Sequence, residues 1–555
     1  MSLSGIPVLI LEKDTKRTHG RNALQSNIMA ATAIAEMVRS SLGPRGMDKM
    51  LVDSIGDVTI TNDGAEILKK IEVRHPAAKI IIQASKTQDD EAGDGTTTVV
   101  VVAGELLKQA QLLLEKGIHP SIIIKGYRLA AEEALKYLNE IAIEAKDDKT
   151  LMNVAKTTMN SKIISGFKDY LAKLVVDAVK QVAEEVDGTI KVDLNFIKII
   201  KKEGEDISST QLVKGVVVDK ELKNDNMPKL IRDAKIAIVN PAIKLEKTEL
   251  DANIRISSPE DIIAFKQKEE ELVRNMVEKI KAIGASVILC QREIDDLAAG
   301  MMAKYNIMGV QNVAKRDLQR ISKATGAKLI NNLDDLSDEY LGSAGIVEAR
   351  QIADSKYIFV EDCKNPKAVT IVLRGGTEHV VNEVDRSIHD ALAVVRDVVE
   401  DGKVVPGGGA VEMALARHIE EYADKLSGKV QHAVRAFAKS LEIVPRTLAE
   451  NAGLDPIDMM AKLHSAHEEG KKTYGVDLYK ATTKDMVKAG VLEPLRVKTQ
   501  VIKSASEVAQ LILRIDDVIA AKKREMPKGP AGPGMGGMGG MGGMGMGGMG
   551  GMPPM

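Results

Sequence analysis

The residues best suited to chemistry lie in one short segment, Gly93-Asp94-Gly95-Thr96-Thr97-Thr98, just ahead of an apolar stretch. The two glycines let backbone N–H groups approach an anion closely, and the three hydroxyls add further donors. A helix that begins here places partial positive charge at its N-terminus, and Asp94 is a suitable ligand for the Mg²⁺ that accompanies a nucleotide. The segment therefore suits a metal-bound phosphate. A turn followed by a threonine N-cap explains the same residues.

Four other segments have chemistry that suits a nucleotide, and each has a simpler explanation. Residues 41–46, Ser-Leu-Gly-Pro-Arg-Gly, can wrap phosphates or merely end a helix. Asp63 lies in a Thr-Asn-Asp-Gly turn, which the turn alone would explain. Asp390 lies in a helical pattern, where a solvated polar face is the alternative. The run Gly407-Gly408-Gly409 opens a helix, either as backbone that approaches a ribose or as a plain loop.

The elements that must position these residues are mostly helical at both ends of the chain. Apolar residues recur every three or four positions over 24–42, which predicts an amphipathic helix that Gly43-Pro44 ends. We expect a strand hairpin over 52–60 and helices over 98–115 and 129–143. Between about 219 and 373, short β-rich runs alternate with helical segments, which predicts an α/β domain. Long helical patterns return after Pro406.

Length, charge and composition disfavour several classes of protein. A chain of 555 residues is too long for one ordinary core, so we expect two to four domains. The net charge of −2, the 3% aromatic content and the lack of tryptophan disfavour nucleic-acid binding. Apolar runs such as 99–103 fall short of a membrane span, and the first residues lack a basic leader, so we expect a soluble, intracellular protein without membrane partners.

The cysteines and the paired histidines give no metal or disulfide pattern. Cys290 and Cys363 lie far apart and form no Cys-x-x-Cys, so we expect buried free thiols. His464 and His467 lie one helical turn apart without an accompanying ligand pattern, and a surface or packed pair explains them.

Taken together and in order, these motifs make the whole chain resemble the group II chaperonins, the family of the archaeal thermosome and the eukaryotic cytosolic chaperonin. The resemblance rests on residues 42–50 (LGPRGMDKM), 59–65 (TITNDGA), 93–98 (GDGTTT) and 405–409 (VPGGG). It implies an ATP-dependent chaperone subunit of the cytoplasm that encloses unfolded client proteins in a cavity of two stacked rings. The rings would be built from identical or paralogous subunits, and ATP and Mg²⁺ would be the cofactors.

The resemblance also implies a multidomain α and α/β fold with a nested domain order. A helical equatorial domain would comprise residues 1–150 and 403–527, and a small α/β intermediate domain 151–218 and 372–402. An α/β apical, substrate-binding domain would comprise 219–371, with a helical protrusion near 246–280 that forms a built-in lid. The Gly/Met-rich segment 528–555 is too poor in branched and aromatic side chains to pack, and we expect it to be a disordered tail.

Residue roles follow from the same resemblance. Asp94 would bind Mg²⁺ and the phosphates, whereas the catalytic residues Asp63 and Asp390 would position and polarise the attacking water. Asp390 would arrive only when the hinge of the intermediate domain closes. Gly409 and Glu493 would meet the base or ribose, and Lys162 would sense the terminal phosphate. The remaining ATP-binding residues would be Ser41, Leu42, Gly43, Pro44, Asn62, Gly95, Thr96, Thr97, Thr98 and Gly408.

Two other classes of function compete with this interpretation. A small-molecule ATP-dependent enzyme, such as a kinase or ligase, is disfavoured because the sequence has no P-loop and no kinase signature. A nucleic-acid or scaffold protein is disfavoured by the neutral charge and the few aromatic residues.

Overall fold

A computed structural model describes residues 16–145, 147–159, 164, 166–245, 259–352, 354–364 and 366–520. The expected tail at 528–555 and Lys162 lie outside these residues, as does the first part of the expected lid, 246–258.

The first part of the described chain is mainly helical. Its elements are β1 (Lys16–His19), α1 (Gly20–Arg39), β2 (Lys49–Val52), β3 (Val58–Thr61), α2 (Gly64–Lys70), α3 (Pro76–Ala92), α4 (Thr96–Glu115), α5 (Pro120–Ile141) and β4 (Ile143–Glu144). The amphipathic helix, the hairpin and the two following helices predicted from the sequence all form. The helix expected over 129–143 begins nine residues earlier, at Pro120, and the first strand of the hairpin lies at Lys49–Val52, at the edge of the expected range.

The next part mixes helices with short strands. Its elements are α6 (Asp148–Thr158), α7 (Lys168–Val182), β5 (Glu184–Val186), β6 (Thr189–Lys191), β7 (Ile197–Glu203) and β8 (Gln211–Val213). Then follow β9 (Gly215–Val218), β10 (Leu230–Val239), α8 (Pro259–Ala282), β11 (Val287–Cys290), α9 (Asp296–Lys304), β12 (Met308–Val310), α10 (Lys315–Thr325), β13 (Leu329–Ile330), β14 (Gly342–Ile352) and β15 (Ser355–Glu361).

The last part returns to long helices. Its elements are β16 (Val369–Gly375), α11 (Glu378–Asp401), β17 (Lys403–Pro406), α12 (Ala410–Asp424), α13 (Lys429–Leu441), α14 (Ile443–Asn451), α15 (Pro456–Glu468), β18 (Tyr474–Asp477), β19 (Thr482–Asp485), α16 (Met486–Ala489), β20 (Leu492–Pro494), α17 (Leu495–Leu513) and β21 (Asp517–Ala520). Strand β21 pairs antiparallel with β1, so the two ends of the described chain meet.

A seven-stranded mixed sheet forms the centre of the middle part. The strand order is β12-β11-β10-β14-β15-β9, and β13 pairs with β10. Alternate residues of each strand point to opposite faces. Ile236 and Ile238 accordingly join one buried cluster while Ala237 and Val239 join another, so both faces of the sheet are covered.

A separate three-stranded sheet has the order β7-β16-β8. It packs with α6, α7 and α11 around its own buried cluster, which contains Leu171, Ile371 and Ile388. The sequence pattern alone assigned β16 to the central α/β region, but its partners β7 and β8 lie outside the seven-stranded sheet.

The largest buried cluster joins helices from the two ends of the chain. It draws on α1, α3, α4 and α5 from the first part and on α12, α13 and α17 from the last. Helix α4 is long and apolar enough to cross a membrane by length and composition, although the sequence run within it looked too short. Most of α4 is buried against its neighbours, as expected for the core helix of a globular domain.

Candidate active site

A cavity of about 470 Å³ lies where the cluster of terminal helices meets α6 and α11. This volume is within the usual range for a site that binds a small ligand. Its wall contains all the predicted site residues except Lys162, which lies outside the described part of the chain: Ser41, Leu42, Gly43, Pro44, Asn62, Asp63, Asp94, Gly95, Thr96, Thr97, Thr98, Asp390, Gly408, Gly409 and Glu493. Segments separated by up to about 450 positions therefore share one pocket.

The loop between α3 and α4 is held in a shape that presents backbone donors to this cavity. Gly95 has φ 81° and is the N-cap of α4, a left-handed conformation that favours glycine. The buried side chain of Gln88 fixes the loop by donating to the Asp94 carbonyl at 2.7 Å. Because the first N–H groups of a helix have no partner within it, the first turn, Thr96 to Thr98, offers donors to an anion.

The start of α2 lies against the start of α4. A Cβ on Gly64 would lie 2.4 Å from Thr97 Oγ1 and 2.9 Å from its nitrogen, so only glycine allows this approach. Asp63 is the N-cap of α2 and accepts hydrogen bonds from the nitrogens of Ala65 and Glu66. Its Oδ1 also accepts from Thr96 Oγ1 at 3.2 Å. Asp63 thus lies at the pocket wall with its carboxylate oriented by both helices.

The segment after α1 forms another part of the wall. Ser41 is buried, and its Oγ donates to the Val38 carbonyl at 2.7 Å. The hydroxyl thus satisfies a carbonyl in the last turn of α1. Asn451 donates to the Leu42 carbonyl at 2.8 Å. Gly43 has φ 83°, and a Cβ there would lie 2.3 Å from the Leu448 side chain. Packing therefore fixes the backbone of this segment at the cavity.

Asp390 reaches the cavity from α11, where the alternative to a functional role was a solvated helix face. The structure instead leaves it half-buried in the pocket wall. Burial raises the pKa of the Asp390 carboxyl well above its ordinary value, and Asp63, Asp94, Asp89 and Glu383 add to the effect. Burial likewise raises the pKa of Asp94, although the Gly95 N–H, Thr158 and Lys498 oppose this.

These carboxylates decide which groups the pocket accepts. The acidic side chains would repel a triphosphate that carries no cation. A divalent cation between the phosphates and the carboxylates would attract both of these groups. Among the described residues, no group of three or more His, Cys, Asp or Glu is placed to hold a metal ion. Mg²⁺ commonly needs only one or two carboxylates when phosphate oxygens and water complete its shell. The donor set around Asp94 therefore fits a magnesium nucleotide.

The opposite end of the cavity contains a buried ionic network. Lys498 donates to Glu412 Oε1 at 2.7 Å, and its Nζ lies 2.6 Å from Glu493 Oε2. Burial alone would lower the pKa of Lys498, but the two carboxylates outweigh burial and raise it. Glu493 is thus held by an ammonium group beside the backbone of Gly407, where a Cβ would lie 2.7 Å from its Oε1.

Several residues of the wall were not predicted from the sequence. They include Thr158, Glu383, Arg386, Asp477, Tyr479 and Lys498. Thr158 donates to Asp94 Oδ2 at 3.0 Å and so joins the end of α6 to the loop before α4. No local pattern distinguishes these residues, because long-range packing brings them to the cavity.

The thiols and the paired histidines behave as the sequence predicted. Cys290 and Cys363 are free and buried. His467 bonds to the Tyr474 carbonyl at 2.7 Å, and His464 lies 3.4 Å from Glu442.

Comparison with known proteins gives the family. The model of the TCP-1/cpn60 chaperonin family matches residues 34–523. A thermosome subunit of Pyrococcus abyssi is 55% identical over 528 residues, which cover 95% of this chain and 96% of that protein. The thermosome subunits alpha and beta of Archaeoglobus fulgidus are 53% and 55% identical, each match covering 95% of this chain and 97% of the relative. The chain belongs to the TCP-1/cpn60 chaperonin family and is a group II chaperonin subunit, an ATPase that drives protein folding in a double-ring chamber.

Proposed function

We propose that the 470 Å³ cavity is the ATP site of this chaperonin subunit and that Asp390 times hydrolysis by moving with α11. The observation that carries the proposal is that the N-termini of α2 and α4 converge on one pocket whose wall contains six acidic residues: Asp63, Asp94, Glu383, Asp390, Asp477 and Glu493. The first turn of α4 would hold the phosphates, and Asp94 would hold Mg²⁺ together with them. When bound, Mg²⁺ neutralises charge on the phosphate oxygens.

The two catalytic carboxylates would have different tasks. Asp63 is fixed by Ala65, Glu66 and Thr96, so it would orient water from a rigid position. Asp390 lies on α11, which contacts the loop between α3 and α4 at Gly93; we call this loop, residues 93–95, the phosphate loop. The raised pKa of Asp390 suits a group that accepts a proton from water. Exclusion of water from the closed pocket would strengthen both effects.

Replacement of Asp390 by alanine tests this assignment. The assembled variant should bind ATP with nearly normal affinity and hydrolyse it roughly 10²–10⁴-fold more slowly, the usual scale for a positioned base. Single-turnover hydrolysis, measured beside the affinity for a non-hydrolysable ATP analogue, separates the two effects. A hydrolysis rate near that of the wild type would reject the role of Asp390.

The separate buried clusters support the nested order of three domains. The strands shift two of its boundaries, because β9 (Gly215–Val218) pairs within the seven-stranded sheet and β16 (Val369–Gly375) pairs with β7 and β8. The apical domain would then comprise about 215–367 instead of 219–371. Its neighbours in the chain would form the intermediate domain.

The lid proposal is supported by a difference in burial between Ile263 and the second half of α8. Val273, Val277 and Ile280 are buried in the cluster on one face of the seven-stranded sheet. Ile263, near the start of the helix, is 58% exposed. The first half of α8 would therefore extend from the domain as part of the lid, while the second half anchors it.

A deletion of 246–280 would also remove the buried anchor, so a shorter change tests the lid better. Replacement of 246–268 by a short Gly/Ser linker should leave ATP turnover largely intact and should abolish protease protection of an unfolded client. Protection of the client by this variant would count against a lid.

The partners and the compartment are proposed from the relatives. Archaeoglobus fulgidus has both an alpha and a beta thermosome subunit. We expect stacked rings of identical or paralogous subunits that enclose unfolded clients in the cytoplasm. Two rings of eight or nine 59.9-kDa chains would give a particle of about 1 MDa, which native mass spectrometry can detect.

A further inference from the structure

One arginine at the start of α17 contacts three carboxylates at the end of α11. Arg496 Nη1 lies 3.0 Å from Asp397 Oδ1 and 3.0 Å from Glu400 Oε2. Its Nη2 and Nε donate to the two oxygens of Asp401 at 2.6 and 2.8 Å, a bidentate pair. We call these four residues the Arg496 clamp.

The three carboxylates share one face of α11 because positions i, i+3 and i+4 of a helix lie together. Asp401 is the last residue of that helix, and Gly402 follows in a left-handed conformation with φ 66°. The chain then enters β17, which pairs with β20 just before α17. The clamp therefore lies where α11 joins the ATP-binding part of the subunit.

Two further contacts tie the clamp to its surroundings. Arg396 donates to Asp397 Oδ1 at 2.8 Å and to the Glu91 carbonyl at the end of α3 at 3.2 Å. Glu400 Oε1 accepts from the Val192 nitrogen at 3.0 Å. The end of α11 is thus bonded to α3, to α17 and to the segment after β6.

The energetics favour a positioning role over simple stabilisation. Asp397 is 0% exposed, and its Oδ2 has no hydrogen-bond partner among the described residues. Asp397 is the buried member of the network, whereas Arg496 is 32% exposed and Asp401 36%. Burial of a charge such as Asp397 commonly costs as much in desolvation as its ion pair returns in attraction. The network does fix the orientation of α11 relative to α17, because the five donors of a rigid guanidinium match only one arrangement of carboxylates.

The clamp affects the position of Asp390 because both lie on α11. Asp390 lies seven positions before Asp397, which is about two turns or 10 Å along α11. A tilt of about 10° at the clamp would move Asp390 by roughly 2 Å, and a displacement of 1 Å can reduce a rate about 10²-fold. Between these two residues, Ala393 contacts the phosphate loop so closely that a Cβ on Gly93 would lie 2.1 Å from its Cβ.

We propose that Arg496 is a positioning residue for ATP hydrolysis, which holds the end of α11 on α17 and so sets the place of Asp390 over the phosphate loop. The inference rests on the proposed catalytic role of Asp390. Arg496 itself is absent from the cavity wall, where its neighbour Lys498 is present.

Arg496→Met tests the clamp in the assembled protein, because methionine keeps much of the length and removes the charge. Single-turnover hydrolysis should slow by about 10- to 100-fold while the affinity for a non-hydrolysable ATP analogue changes less than about threefold. Arg496→Lys should recover only part of the rate, since an ammonium group cannot bind Asp401 in the same bidentate manner. Arg435→Met is the matched control, because Arg435 pairs with Asp424 at 2.6 Å on the exposed surface.

A double-mutant cycle identifies the route of the effect. If Arg496 acts through Asp390, Asp390→Asn combined with Arg496→Met should hydrolyse ATP no more slowly than Asp390→Asn alone. Should Arg496→Met fail to assemble, Asp401→Asn removes the bidentate pair at the more exposed edge of the clamp and should show the same split between rate and affinity.

The outcomes separate the inference from the proposed function. The inference is overturned if Asp390→Asn is slow but Arg496→Met and Asp401→Asn both hydrolyse ATP at the wild-type rate. It is also overturned if Arg496→Met slows the Asp390→Asn protein by the same factor as the wild type. A rate near wild type for Asp390→Asn would instead reject the catalytic role of Asp390 itself.

Discussion

Thr158 Oγ1 donates to Asp94 Oδ2 at 3.0 Å, and this hydrogen bond joins the last residue of α6 to the loop that begins α4. The other oxygen of Asp94 accepts from the nitrogen of Gly95. Both oxygens of Asp94, the proposed metal ligand, are therefore oriented by neighbouring residues. One of these neighbours, Thr158, belongs to α6, whose apolar residues lie in a different buried cluster from those of α4. If Asp94 holds a metal-bound nucleotide as proposed, this contact would couple nucleotide binding to the position of α6.

Thr158→Val should weaken the binding of MgATP by about tenfold or more, because a hydrogen bond to a charged group contributes roughly 1.5–3 kcal/mol. Thr158→Ser keeps the hydroxyl and should bind nearly as well as the wild type. Titration of both variants with a non-hydrolysable analogue in the presence of Mg²⁺ measures the difference. Equal affinity for the valine and serine variants would show that this contact does not orient Asp94 for binding.

Lys498→Met should destabilise the subunit strongly. The change leaves Glu412 and Glu493 without their shared cation in a buried site, and loss of one partner of a buried ion pair costs about 3–5 kcal/mol. The Oε2 atom of Glu412 already has no partner among the described residues, so no second donor stands ready there. Thermal unfolding of the assembled protein should therefore begin at a lower temperature.

Glu412→Leu added to Lys498→Met is the control for this cause. It removes one of the two unpaired carboxylates and should restore part of the lost stability. If the single variant unfolds like the wild type, or if the second change lowers stability further, unpaired buried charge is not the reason for the effect.

The sequence predicted several local elements but not the contacts between them. Apolar spacing predicted α1 correctly, since Leu24, Ile28 and Val38 are all buried. Asp390 also followed an apolar helical pattern, yet its surroundings depend on the phosphate loop about three hundred positions earlier. Periodicity shows which face of a helix is apolar and does not show what a polar residue faces.

The pocket residues divide in the same way. Glycine, threonine and aspartate in short runs drew attention to the loops at 41–46 and 93–98, because turn chemistry is local. Thr158, Arg496 and Lys498 carry no such signal, and each acquires its partner only when α6 or α17 packs against another part of the chain. The motifs therefore indicated the loops that line the cavity. The side chains that orient the acidic residues of the wall come from other parts of the chain through tertiary packing.

Asp397 should make the stability of the subunit fall as the pH rises. Burial raises the pKa of this carboxyl to about 6, although Arg396 and Arg496 oppose the rise, and nearby Asp401 adds to it. The folded protein therefore holds the proton more tightly than the unfolded chain. This contribution to stability is fully present below about pH 4 and is lost as the pH rises through about 6.

Asp397→Asn lacks this proton equilibrium, so the stability of the wild type relative to the variant should fall by about 2–3 kcal/mol between pH 4 and pH 7. Thermal unfolding of both proteins across that range measures the change. Asp424→Asn, which breaks the exposed pair with Arg435, corrects for the loss of an arginine-paired carboxylate away from the clamp. A difference between wild type and Asp397→Asn that stays constant with pH, or that grows in favour of the wild type as the pH rises, would contradict a raised pKa at Asp397.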